Sequence, residues 1–154
     1  MANVPDDRRE RIASDPFCET LGIELTVLES GHARTELRIR DELLNFHGTP
    51  HGGLVYSLAD AAFAAASNSD GETALALETN ISYLAAAAVG DTLVAIAERE
   101  DETRRTGTYR VDVGVEKDGS DGNEGENTET VDGDTVDDDG LAEVAIFRGR
   151  VYKP

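Results

Sequence analysis

The stretch HGGLVYSLADAAFAAASNSDG, His51 to Gly71, decides how the rest of the chain is read. Leu54, Leu58, Ala61, Ala62 and Ala65 recur at the spacing of one helical face, while Val55, Ala59, Phe63 and Ala66 cover much of the other side. A helix that is apolar nearly all round must be buried, so the spacing predicts a long central helix over 51–68. The flanking segments carry instead the period of two that marks half-buried strands. From Ala33 to Arg40, the residues Ala33, Thr35, Leu37 and Ile39 alternate with Arg34, Glu36, Arg38 and Arg40. Joined to 23–29 through Ser30-Gly31-His32, this strand reads as half of a hairpin. Further strands are expected over 73–84, 92–99, 106–116 and 141–152, with a short helix over 5–13 that Pro16 interrupts. Strands that follow one another through short turns favour antiparallel pairing. The expected class is therefore α+β, one curved antiparallel sheet wrapped around the helix.

The chain has 154 residues, about one domain, and is read as a single domain over 1–154. Its 14 Lys and Arg face 32 Asp and Glu, a net charge of −18. That excess excludes ordinary nucleic-acid binding, which needs basic residues against phosphate, and disfavours docking on anionic membranes. Apolar runs such as Ala61 to Ala66 fall far short of the ~20 residues that span a bilayer. The opening MANVPDDRRE lacks the apolar run of a signal peptide, so a cytoplasmic location is expected. All but two of the basic residues are Arg, the exceptions being Lys117 and Lys153. With the acidic excess, this composition looks halophilic: at molar salt the Debye length shrinks to about 3 Å and self-repulsion with it. Ten of the acids lie between Asp118 and Gly140 with no Lys or Arg among them, and about 118–140 is expected to be a disordered acidic insertion.

Asp60 is the one acid inside the apolar helix. A carboxylate there costs several kcal/mol or takes a raised pKa unless it is partnered. A purely structural Asp60 would be held by Tyr56 or Ser57, one turn earlier on the same face; the functional alternative is a general base or nucleophile tuned by its surroundings. The glycine pair Gly52-Gly53 after His51 permits close backbone approach at the helix start, where free amides favour developing negative charge. Gly52 and Asp60 are nonetheless roughly 12 Å apart along the axis and about 80° apart around it. One chain cannot readily bring both to one carbonyl. If they cooperate, they come from different chains, which points to a homodimer with composite sites.

Other residues keep two readings. Phe46, Tyr56, Phe63 and Tyr83 could line an acyl tunnel, with core packing the favoured reading. Arg148 and Arg150 alternate along the last strand, where they either hold a nucleotide phosphate or are simply solvated, the latter favoured. His32 and His47 lack a second ligand at metal spacing, so no metal is expected. Cys18 reads as a packing residue.

The run His51 to Gly71 resembles the helix motif of hotdog-fold acyl-CoA thioesterases of the phenylacetate-degradation, PaaI-like type. The resemblance extends through LGIEL from Leu21, Asn45, TNISYL from Thr79, VGDTL from Val89 and FRGR from Phe147. It implies a sheet folded about the helix, paired into a dimer and often further into a tetramer. It also implies an acyl-CoA substrate and no separate cofactor, coenzyme A being part of the substrate. By matching positions, Asp60 would be the catalytic carboxylate, as general base or nucleophile. Gly52 would donate its amide to the thioester oxygen, beside Gly53, and Asn45 and His51 would lie near the thioester or the attacking water. Two departures stand out. Relatives often carry a basic residue and proline where this chain has Ala85 and Ala86, which puts one contact to the coenzyme A phosphates in doubt. Relatives also use a hydroxyl residue from the strand after the helix, where this chain has Ala76 or Glu78 at the matching positions and Ser82 further on, a candidate for which a strand-surface serine is the favoured reading. The competing readings are a hotdog dehydratase or hydratase acting on acyl thioesters, disfavoured because the helix gives Asp60 no neighbouring His, and a non-catalytic acyl-CoA-binding module.

Overall fold

The computed structural model describes residues 3–116 and 140–154. The expected acidic insertion lies, apart from Gly140, outside the described residues. Helices α1 (Asp6–Ala13) and α2 (Pro16–Leu21) precede the hairpin β1 (Glu24–Glu29) and β2 (His32–Arg38). A single 3-10 turn, Asp41–Leu43, leads to the central helix α3 (Gly52–Ser67). Strands β3 (Leu75–Tyr83), β4 (Thr92–Glu102), β5 (Thr106–Glu116) and β6 (Leu141–Tyr152) follow. The six strands form one antiparallel sheet in the order β1-β2-β4-β5-β6-β3. This is the expected α+β hotdog arrangement, with α3 seated against the sheet.

One element differs from expectation. Pro16 does more than end α1, because it also opens α2. Asp15 caps that helix by accepting the Cys18 N–H at 3.0 Å, and proline occupies a first-turn position where its missing N–H costs nothing. The chain leaves α2 through Gly22 at φ +84°, a left-handed conformation that favours glycine.

The predicted alternation of β2 holds. Ala33, Thr35 and Leu37, with Ile39 just beyond the strand, are all buried. The Thr35 hydroxyl donates to the Leu58 carbonyl at 3.0 Å and so ties β2 to α3. Buried Leu54, Val55, Leu58, Ala59, Ala62, Phe63, Ala65 and Ala66 form the helix's contribution to the core. Phe63 lies 5.7 Å from Tyr109 and 5.6 Å from Phe147, centroid to centroid. Beneath it, Gly149 leaves the room that the ring occupies: a Cβ at that position would stand 2.6 Å from Phe63 Cζ. At the other end of α3, Asp70 accepts from the Ser30 hydroxyl at 2.5 Å and pairs with Arg99, while Ser69 Oγ accepts the Gly31 N–H at 2.8 Å. These bonds fasten the β1–β2 turn to the helix end. Burial alone would raise the Asp70 pKa, but the hydrogen bonds from Ser30 and Arg99 hold it below the usual carboxylate value.

Replacing Gly149 by Ala should overpack the Phe63 site and destabilise the chain by about 1–3 kcal/mol. Denaturant unfolding of Gly149→Ala beside wild type checks this, with Gly48→Ala unsuitable as a control because Gly48 has a positive φ of 80°.

Candidate active site

The segment that feeds α3 is built around Asn45. Its Oδ1 accepts the backbone N–H groups of His47 at 2.9 Å and Thr49 at 3.2 Å, and its Nδ2 donates to Thr49 Oγ1 at 3.0 Å. Asn45 therefore shapes the loop that delivers His51 to the helix start. His51 caps α3: its Nδ1 accepts the Gly53 N–H at 2.8 Å. Because the amide must donate, Nδ1 is the unprotonated ring nitrogen, and the neutral ring carries its hydrogen on Nε2. Gly53 is needed for this cap, since a Cβ there would lie 2.9 Å from His51 Nδ1. Among the described residues the Gly52 N–H has no acceptor. It stands at the positive end of a 16-residue helix, where an anion or a developing oxyanion is favoured.

Tyr83 completes this corner. Its ring lies over Gly52, with the hydroxyl donating to the Gly52 carbonyl at 3.0 Å. A Cβ on Gly52 would meet that oxygen at 3.3 Å. Gly52 is thus held between the capping loop and the end of β3. The core reading of the four aromatics is correct for Phe63, 1% exposed, and for half-buried Tyr56, but not for Phe46 at 93% or Tyr83 at 54%. A strand inside a sheet would have buried Tyr83; β3 is an edge strand and leaves it open.

Asp60 lies about 12 Å further along the helix. Neither expected structural partner reaches it. The Tyr56 hydroxyl is bonded to Thr79 Oγ1, and Ser57 Oγ donates to the Gly53 carbonyl at 2.7 Å. Among the described residues the Asp60 carboxylate receives no hydrogen bond. Burial is the main cause that raises its pKa above the usual carboxylate value, and the charge of Asp15 adds to it. Its own burial first, and then Asp15 and Asp60, push the Cys18 thiol up to about 11, so Cys18 is an uncharged packing residue beside them. The proximity of Asp15 was hidden in the sequence because it depends on α2, whose start had been read only as a helix end.

The remaining candidates lie elsewhere. The β3–β6 register sets Ile81 opposite buried Phe147 and Ser82 opposite Ile146, so Ser82 points to the sheet face away from α3. Arg148 and Arg150 share that outer face, where they pair with Glu100 at 2.8 Å and Glu78 at 3.0 Å. Within one chain the structure brings together Asn45, His51, Gly52 and Gly53, and leaves Asp60, Ser82, Arg148 and Arg150 apart from them. Among the described residues no group of three or more His, Cys, Asp or Glu is placed to hold a metal, and no helix is long and apolar enough to cross a membrane.

A helix cradled in an antiparallel sheet, with a free amide at its start and an unpartnered carboxylate along it, defines a class also reached by comparison. Residues 47–121 match the thioesterase superfamily model. A protein of Archaeoglobus fulgidus provisionally named an esterase is 41% identical over 100 residues, which is 65% of this chain and 65% of that protein. The acyl-coenzyme A thioesterase PaaI of Escherichia coli is 36% identical over 100 residues, 65% of this chain and 71% of that one. The matched segment thus spans about two thirds of the length of these curated relatives. A structure of the phenylacetic acid degradation protein PaaI from Thermus thermophilus, a mutant, is 36% identical with TM-score 0.72, over 91% of this chain and 100% of that chain. The E. coli PaaI structure gives TM-score 0.75 at 28% identity, over 95% and 89% of the two chains. This chain belongs to the thioesterase superfamily.

The electrostatics give a direct test. Asn caps a helix as well as Asp does, so Asp15→Asn should leave α2 in place while removing one of the two causes that raise Asp60. Carboxyl carbon NMR titration should then show the Asp60 pKa moving down, yet staying above the ordinary value because burial, the larger cause, remains. An unchanged value would contradict the coupling.

Proposed function

We propose that this protein hydrolyses an acyl-CoA thioester to the free acid and coenzyme A, with the acyl group aryl or of medium length. The observation that carries the reading is that one helix bears, at its N-terminus, a Gly52 amide and, further along, a half-buried Asp60 whose proton affinity is raised, both without a partner among the described residues. The Gly52 N–H suits a thioester oxygen as it gains charge in the tetrahedral intermediate. Asp60, as its carboxylate, takes a proton from water as that water attacks the carbonyl carbon, or attacks the carbon itself. On the first route the C–S bond then breaks, coenzyme A leaves as its thiolate and takes up the proton that Asp60 holds; on the second the C–S bond breaks to leave an acyl–Asp60 anhydride, which water hydrolyses to the free acid while coenzyme A takes up a proton from that water. His51, with Nδ1 occupied by the Gly53 amide, offers its Nε2–H near the same oxygen or the attacking water. Asn45 keeps the loop in shape and lies close by. Relatives named as an esterase and as an acyl-CoA thioesterase support the reaction class.

The active unit is a homodimer with composite sites. Gly52 and Asp60 cannot reach one carbonyl from one helix, so each site draws its amide from one chain and its carboxylate from the other. The open edge of the sheet supports this. The β1 edge is partly covered, since Asn3 bridges to Glu29 and Arg9 donates to the Leu28 carbonyl at 2.7 Å. The β3 edge instead exposes Leu75, Leu77, Tyr83 and Leu84. Long apolar edges of this kind invite a second strand, and Tyr83 brings Gly52 alongside this one. Further pairing to a tetramer, a cytoplasmic location, and a saline cytoplasm that screens the charge of −18 complete the proposal. We retain Gly53, Ser82, Arg148 and Arg150 as candidates for substrate contact, Ser82 and the two arginines only from the outer face of the sheet. The chain is proposed to be a single domain over 1–154.

The test is release of free thiol from a panel of aryl- and alkanoyl-CoA thioesters in molar KCl. Wild type should turn over members of the panel, and Asp60→Asn should lower kcat by on the order of 10²–10⁴. The acid limb of kcat/KM should lie above the ordinary carboxylate range, because Asp60 must be ionised to act and its pKa is raised. Full activity in Asp60→Asn would overturn the assignment.

A further inference from the structure

The Gly52 amide sits on a residue that by itself would not hold still. Gly52 has no side chain and opens α3 ahead of a second glycine. Glycine has more backbone conformations open to it than any other residue, and the first turn of a helix lacks the acceptors that hold later N–H groups. The direction of the Gly52 N–H depends on the two peptide planes that flank its Cα, each rigid in itself. Both planes are pinned. The one before Gly52 is held through the His51 carbonyl, which accepts the N–H groups of Leu54 at 2.9 Å and Val55 at 3.4 Å. The one after it is held at both ends. Its N–H, that of Gly53, donates to His51 Nδ1 at 2.8 Å, and its carbonyl, that of Gly52, accepts the Tyr83 hydroxyl at 3.0 Å.

Three of these four contacts come from the helix and its cap. The fourth ties the helix start to the sheet. Tyr83 is the last residue of β3, opposite Ala145 of β6, and the chain just beyond it is fastened too: the N–H groups of Leu84 and Ala85 reach the Val144 carbonyl at 2.8 Å and 3.2 Å. The phenol therefore hangs from a fixed backbone. Its ring also fills the space beside Gly52, where a Cβ would stand 3.3 Å from the hydroxyl oxygen and 3.4 Å from Cζ. Partial burial, with Tyr56 nearby, holds the phenol above its ordinary pKa, so it stays a hydrogen-bond donor at neutral pH. We propose that Tyr83 is a positioning residue for the reaction, its hydroxyl clamping the Gly52–Gly53 peptide so that the Gly52 N–H keeps its aim at the developing oxyanion. The inference rests on the thioesterase reading and adds a residue to it. Because the oxyanion exists only once the thioester carbonyl is attacked, a loosened amide weakens the transition state more than the bound substrate.

Tyr83→Phe tests this while keeping the ring, since it removes one oxygen from a side chain that is 54% exposed. In that variant kcat should fall by about tenfold, less than the ~10²–10³ lost when an oxyanion donor is removed outright. KM and the acid limb of kcat/KM should stay where they are, because Asp60 is untouched. Gly52→Ala sets a methyl against the Tyr83 oxygen, so its cost in kcat should be several-fold smaller in the Tyr83→Phe background than in wild type. An unchanged kcat in Tyr83→Phe, a loss that appears in KM instead, or an equal cost of Gly52→Ala in both backgrounds overturns the proposal. The amide order parameter of Gly52, from nitrogen-15 NMR relaxation, reads the clamp without turnover. It should lie near the rigid value of about 0.85 in wild type and drop in Tyr83→Phe, and equal values overturn the positioning role. Hydrolysis of no thioester by wild type, with the order parameter dropping as expected, overturns the reaction reading and leaves the clamp standing.

Discussion

An α-helix is rigid, and it fixes the distance between its first amide and a side chain eight residues on at roughly 12 Å. In this protein those two groups are the Gly52 N–H and the Asp60 carboxylate, both without a partner among the described residues. Nothing else in the fold can shorten that distance, because α3 is held along its length by β2, by the ring of Phe63 against Gly149, and by the bonds at Asp70. On the proposed reading the fold presents two half-sites. A second chain that supplies the missing half is the economical resolution, and the uncovered β3 edge beside Gly52 is where such a chain would pair.

The surroundings of each half-site are specialised in different ways. Around Gly52 everything fixes geometry: Asn45 shapes the approach, His51 caps through Nδ1, Gly53 makes room for that cap, and Tyr83 holds the Gly52 carbonyl. Around Asp60 everything adjusts charge: burial and Asp15 raise its proton affinity, and among the described residues no donor relieves it. A fixed donor and a tuned carboxylate are what acyl transfer to water requires, one to meet the oxyanion and the other to manage the proton. The outer face of the sheet is another environment, where Arg148 and Arg150 are occupied by Glu100 and Glu78. Exposed pairs of this kind contribute little to stability, and a phosphate would have to displace a carboxylate to use them.

Much of this was readable from the residues because it depended on local periodicity. The alternation over 33–40 placed one face of β2 inward, and the all-round apolar pattern over 51–68 placed α3 at the centre. The spacing of Gly52 and Asp60 is equally local, and the proposal that two chains share a site rests on it. What escaped was long-range or hung on a single turn. Pro16 ends one helix and begins the next, and only Asp15 before it, a capping residue, signalled the second. Tyr83 reads as core in any strand pattern, and its exposure follows from β3 lying at an edge, which periodicity does not report. The Ser57 bond to Gly53, four residues back, is a common local habit of serine in helices and could have been anticipated. The capture of Tyr56 by Thr79 could not, because it joins elements 23 residues apart.

The central claim is that each site takes its amide from one chain and its carboxylate from the other, and subunit complementation tests it most directly. Gly52→Pro removes the N–H while keeping a residue that helices accept at their first position, and Asp60→Asn removes the base. Each homodimer should be nearly inactive. A heterodimer of the two, isolated with a different tag on each chain, has one site with both groups intact and should show roughly half of the wild-type activity. A heterodimer as inactive as its parents would mean that each site is built within one chain, and the account would be wrong.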